Sequence, residues 1–168
     1  AQLYLNLDSV TNEGTITADG HTNAATGKSY NTGLLVFTDY TNAGIAYNSG
    51  TLQFNDFTNA STASFNNSAT VTGTRDFWNA GTFSNLSTGI MTVARDFANG
   101  DSTYAWALFM NNGFMKVNDD WVNIDSVFGS TGRFCIQDST SNTGMMAGTF
   151  DFCDLTPPAS SPFIDWNN

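Results

Sequence analysis

The sequence predicts an all-β fold, a parallel β-helix or β-solenoid with coils of about 17–24 residues, and three observations predict it. The tetrad Asp-aromatic-x-Asn is written five times, an alternating apolar stretch precedes each copy, and a glycine or small residue opens most of those stretches. A unit of this size cannot bury its own apolar face, so it has to stack on its neighbours.

The tetrads are Asp39-Tyr40-Thr41-Asn42, Asp56-Phe57-Thr58-Asn59, Asp76-Phe77-Trp78-Asn79, Asp96-Phe97-Ala98-Asn99 and Asp120-Trp121-Val122-Asn123, with steps of 17, 20, 20 and 24 between the Asp residues. Before them come Leu35 and Phe37, Leu52 and Phe54, Val71, Met91 and Val93, and Met115 and Val117. Alternation of this kind is the period of a strand. The openings "NTGLLVF", "NSGTLQF", "NSATVTG", "STGIMTV", "NNGFMKV" and "STGRFCI" are read as corners, where Gly and Asn tolerate a left-handed backbone. A second corner follows the tetrad Asn in "NAGIAYN" and "NAGTFSN", so each unit reads strand, corner, short strand, corner. By the glycine punctuation six to eight coils are expected. Tyr40, Phe57, Phe77, Phe97 and Trp121 are expected to form a ring ladder inside the stack, and Asn42, Asn59, Asn79, Asn99 and Asn123 to bond from coil to coil at the corner. Variable steps follow because corners accept insertions and strands do not.

Composition agrees. Only 12% of residues are charged, against roughly 25% in ordinary soluble domains, while 14% are aromatic. Glu13 is the single Glu, and an acidity made of Asp belongs to turns before helices. A net charge of -10 excludes nucleic acid, whose phosphates the chain would repel. No stretch approaches the roughly 20 apolar residues of a membrane span, so direct membrane insertion is not expected. The opening "AQLYL" suits either a mature end left by signal cleavage or a boundary within a longer chain.

The largest insertion, "GDSTYAWALFM" at 100–110, is the one helix-like run. It is read as a flap over the solenoid; the functional alternative makes Tyr104 and Trp106, with Trp78 on the coil, an aromatic platform for a sugar ring or protein partner. The solenoid domain is assigned to 1–154, and 155–168, with Pro157, Pro158 and Pro162, reads as an exit linker or wrapping tail.

Cys135 and Cys153 lie 18 positions apart, nearly one coil. Stacked strands sit about 4.8 Å apart, inside the roughly 4.4–6.8 Å that a disulfide needs between its Cα atoms. The repeat therefore predicts the bond and an oxidising location; two buried free thiols are the alternative, and a zinc site would lack two ligands.

No cofactor, metal site or catalytic group is expected. His21, in the polar stretch "ADGHTNA", is read as a surface corner histidine, since no nucleophile elbow accompanies it. Paired carboxylates serve many polysaccharide-cleaving β-helices, but a catalytic pair needs unequal surroundings, and the tetrad Asp residues occupy equivalent places. Corner capping explains them better. "NDDW" at 118–121 is the densest acidic point, without a recognised calcium-loop pattern. A flat ice-binding face needs regular outward Thr ranks, and Thr41 and Thr58 are followed by Trp78, Ala98 and Val122.

Set out as strand, Asp-Phe-x-Asn, Gly-Thr, strand, the chain resembles the repetitive β-helical, adhesin-like cell-surface proteins of the Bacteroidetes. Those carry "GDFTNNGT"-type coils and ends similar to "CIQDSTSNTG…GTFDFCDLTPP"; the likeness covers roughly residues 12–162. The pattern departs at the family's Gly before Asp, which is Thr38, Asn55, Arg75, Arg95 and Asp119 here. The resemblance implies export by the type IX route and a role in adhesion, gliding or a surface filament. It also implies O-glycans on Asp-Ser/Thr-apolar-or-Thr sites, which Ser9, Ser102, Ser126 and Ser139 fit. Asn-x-Ser sequons occur at Asn59, Asn66 and Asn85.

The expected function is a non-catalytic extracellular, cell-surface structural or adhesive module. Its partners would be other copies or domains of the same surface protein, glycans or cell surfaces. A carbohydrate-active β-helix enzyme and a self-assembling filament subunit are the alternatives.

Overall fold

A computed structural model describes residues 2–100 and 106–154. These residues form nineteen strands, from Leu3–Asn6 to Met145–Asp154, and contain no helix. They wind through about 8 coils of ~19 residues as a parallel β-solenoid.

Each coil has three faces, not two. Residues 39–42, Ile45–Asn48 and 51–54 make one circuit, and each segment pairs in parallel with its counterpart in the coils before and after. The third face runs into the first face of the next coil at the tetrad Asp. Where one residue separates the two segments, as in Leu34–Asn42 and Thr51–Asn59, the strand bends without ending. A longer link, as between Thr70–Gly73 and Phe77–Asn79, breaks the strand.

Rings file through the interior because the register puts Tyr4, His21, Tyr40, Phe57, Phe77, Phe97 and Trp121 opposite one another in turn. Centroids are 4.9 Å apart for Tyr40–Phe57, 4.4 Å for Phe57–Phe77 and 5.2 Å for Phe77–Phe97, all stacked. His21 corrects the sequence expectation. It is buried inside this file, 4.8 Å from Tyr40 and 5.0 Å from Phe37, where a flat ring can stand in for a phenyl group.

The other two faces share the remaining volume. Coils with Ser29 or Ala46 on the second face carry Phe37 or Phe54 on the third; those with Phe65, Phe83 or Phe109 carry Gly73, Val93 or Val117. At Gly73 a β-carbon would strike the Phe54 ring. Close-packed cores demand this exchange of large for small. Ser29 also hydrogen-bonds the buried Tyr40 hydroxyl, whose pKa burial nonetheless pushes up to about 12.

Amide side chains lock two of the three corners. At the first, Asn6, Asn23, Asn42, Asn59, Asn79, Asn99 and Asn123 each donate Nδ2–H to Oδ1 of the Asn one coil on, at 2.7–2.9 Å, ending at Asn142. A second file at the next corner runs Asn12, Asn31, Asn48, Asn67, Asn85, Asn111 with the same polarity, at 2.7–2.9 Å. Most of these amides also donate to a backbone carbonyl beyond the corner, as Asn42 does to Ser64 and Asn48 to Thr70. Two donors and one acceptor are thus used per amide, and buried polar groups satisfied in this way stop being a cost.

The corner glycines act through space, not through left-handed backbone. Only Gly100 and Gly148 have positive φ among the described residues. A β-carbon on Gly33 or Gly50 would collide with the carbonyl of Gly14 or Gly33 in the coil before. At these two corners backbone stacks on backbone, leaving no room for a β-carbon without a shift.

Cys135 and Cys153 are opposite in register, 4.8 Å apart at Cα, and joined by a disulfide on the last described turn. The helix-like run is corrected in part: Leu108–Asn111 is a strand, because Phe109 falls opposite Phe83 in the core. Ser102, Tyr104 and the tail 155–168 lie outside the described residues.

Candidate functional site

The third corner carries the acids. Asp56 Oδ1 accepts the backbone N–H of Asp76, Asp76 that of Asp96, Asp96 that of Asp120, and Asp120 that of Ser139, each at 3.3 Å. The return bonds run from Phe57 to Asp76, Phe77 to Asp96 and Phe97 to Asp120 through backbone carbonyls at 2.8–2.9 Å. Arg75 pairs with Asp56 at 3.2 Å, and Arg95 approaches Asp76 at 3.6 Å and Asp96 at 3.9 Å. This is coil-to-coil capping by carboxylate, the third counterpart of the two amide files.

At the C-terminal part of that file, carboxylate oxygens of Asp96, Asp119 and Asp120 lie within 4.8 Å of one another. Desolvation raises the pKa of Asp119, and the carboxylates of Asp96, Asp120 and Asp138 raise it further against Arg95. Three oxygens are half or fewer of the roughly six to eight that calcium takes, and two of these carboxylates already cap the next coil.

Trp78 occupies the other notable place. Its strand, Phe77–Asn79, alternates in, out, in, so the indole points away from the core and is 45% exposed. Its register neighbours on either side, Thr58 and Ala98, are short. Beyond Asn79 the chain turns through Ala80 and Gly81 alone, whereas the preceding coil spends 60–63 on the same corner. Gly81 packs against the carbonyls of Ala60 and Ala63, tucked under that longer corner. The step between corner lengths opens a concavity of about 280 Å³ lined by Thr58, Ala60, Ser61, Trp78, Ala80 and Gly100.

Trp106 is exposed at 88%. Ser9 and Ser139 are exposed and Ser126 is half-buried; the Ser139 hydroxyl donates to Asp120 at 2.5 Å and that of Ser126 to Asp125 at 3.3 Å. Of the sequons, Asn59 and Asn85 are buried in the amide files and are no glycan acceptors as folded; Asn66 is half-buried on the outward side of its strand.

Sequence reasoning missed the second amide file, whose signal was the Asn that opens "NTGLLVF", "NSGTLQF" and "NNGFMKV" beside the glycine. It also missed the Trp78 notch, which depends on how two corners of different length lie on one another.

No protein-family model matches the chain, and neither a curated protein nor a solved structure matches it.

Proposed function

We propose that the chain is a non-catalytic structural and adhesive module of an exported cell-surface protein, part of a longer adhesin or filament. The observation that carries this is the triple corner lock: two amide files and one carboxylate file join successive coils, giving a stiff rod whose outward faces are free to vary. A rod of repeated coils can present many weak contacts together, and such contacts add to firm attachment. The disulfide supports an oxidising, extracellular setting. The likeness to Bacteroidetes surface proteins supports export by the type IX route, O-glycans at exposed serines such as Ser9, and partners drawn from copies of the same protein, glycans or cell surfaces.

Beads coated with the protein at graded density and washed over cell or polysaccharide surfaces test it. Retention rising steeply with density is expected; retention equal to albumin-coated beads at every density overturns the adhesive role.

The Asp96, Asp119 and Asp120 group favours the second reading, a carbohydrate-active β-helix enzyme. Release of reducing ends or unsaturated products from acidic polysaccharides, abolished by Asp119→Asn, would establish it in place of the first.

A further inference from the structure

We infer that the notch beneath Trp78 is a binding subsite for one neutral pyranose ring of a glycan. The inference rests on the adhesive reading above and narrows it to a ligand class and a place.

Its size sets the first limit. At about 280 Å³ the concavity lies below the roughly 300–1,000 Å³ of sites for drug-sized ligands, and it holds one six-membered ring, not a peptide segment. Chemistry sets the second. The lining has one large apolar side chain, the exposed Trp78, and beside it Thr58 and Ser61, two residues that carry hydroxyls. A pyranose has that same division, with a C–H face that meets the electron-rich face of an aromatic ring and a rim of hydroxyls that exchange hydrogen bonds.

Charge removes competitors. Among the described residues the lining includes no Asp, Glu, Lys or Arg, so none of them pairs with a phosphate, sulfate or carboxylate. On a chain of net charge -10 an anionic sugar would be repelled as well. A quaternary ammonium would call for several aromatic walls, and Trp78 is the single ring among the described residues of the lining.

Support for the indole is already built. Phe77 and Asn79 on either side are anchored in the ring file and the amide file, so the strand beneath Trp78 is held before any ligand arrives. A pre-formed site loses little freedom on binding, which suits a weak contact used in many copies.

The probes are the methyl pyranosides of glucose, galactose, mannose and N-acetylglucosamine, titrated into the whole ¹⁵N-labelled chain while the indole N–H signals are followed. One of the four is expected to shift the Trp78 signal, identified by its loss in Trp78→Ala, saturably and with a dissociation constant on the order of millimolar. The exposed Trp106 and the buried Trp121 are the internal references and stay in place. Ser61→Leu, which fills the notch from an exposed position and leaves the indole intact, is expected to weaken the shift by about tenfold or more. No saturable shift with any of the four, an equal shift at Trp106, or full binding by Ser61→Leu overturns the inference. Bead retention keeps the two claims apart: beads that hold a surface while Trp78 stays silent leave adhesion standing and remove the sugar subsite, and loss of both removes both.

Discussion

Asn99 donates its Nδ2–H to Asn123 Oδ1 at 2.7 Å, and the two residues, 24 apart in sequence, are both fully buried. The same amide donates to the Ser126 carbonyl at 3.0 Å and accepts from Asn79 at 2.7 Å. Asn99→Ala strands those partners and is expected to cost about 3 kcal/mol. Asn99→Asp keeps the acceptor but loses both donors and sets a carboxylate against two oxygens, at about 3–5 kcal/mol. Burial raises the pKa of such an acid, so the aspartate variant regains stability as pH falls and the alanine variant does not. Chemical denaturation of the two variants at neutral and mildly acidic pH checks this.

Phe77 stacks on Phe57 at 4.4 Å and has no exposed surface. Phe77→Ala is expected to destabilise by about 3–5 kcal/mol, since neighbouring coils are fixed by their own files and cannot collapse into the space. Phe77→Leu should recover most of that. Thermal unfolding with near-ultraviolet circular dichroism reads both.

His21 has no hydrogen-bond partner at either ring nitrogen, and burial lowers its pKa from 6.5 to about 4. The folded protein therefore resists a proton that the unfolded chain accepts. Stability attributable to His21 is whole above pH 6.5 and falls as pH drops toward 4, by about 3 kcal/mol in all. His21→Phe is expected to remove this component. Hydrogen exchange of the first three coils, measured across that pH range, separates it from the titration of the acids.

Gly50 lies against the Gly33 carbonyl and Thr32 backbone of the previous coil. Gly50→Ala is expected to cost about 1–3 kcal/mol, as overpacking does, although its φ would suit alanine. Gly14 has open space at the same step, so Gly14→Ala should be neutral or slightly stabilising. Paired denaturation curves decide it.

The disulfide closes a loop of 18 residues on the last described coil, where the chain-entropy model gives about 3 kcal/mol. Cys135→Ser with Cys153→Ser is expected to release protection in 133–154 while leaving 40–100 unchanged, because a solenoid's coils depend mainly on their neighbours. Local hydrogen exchange in the two regions is the measurement.

The tetrads made the fold legible. A ring at the second position of every tetrad and an Asn two residues later can be satisfied together only by stacking, so period alone implied the coil, the direction of the rings and the one-coil reach of the cysteines. His21 was misread because its neighbours Gly20 and Asp19 look like a turn, yet it holds the ring place of a tetrad in which Gly20 replaces the Asp while Asn23 is kept. The glycines were placed correctly at corners for the wrong reason, since the need for space appears only when one coil lies on another.

Sequence by itself determined the repeat, and with it the parallel stack, because backbone and amide hydrogen bonds repeat whenever like residues meet like. Tertiary structure alone decided the three-sided section, the trade of Phe54 for Phe65 between faces, and the notch at Trp78. Those depend on volumes and corner lengths in adjacent coils, which touch across 17 to 29 residues of chain and leave no local pattern in either stretch.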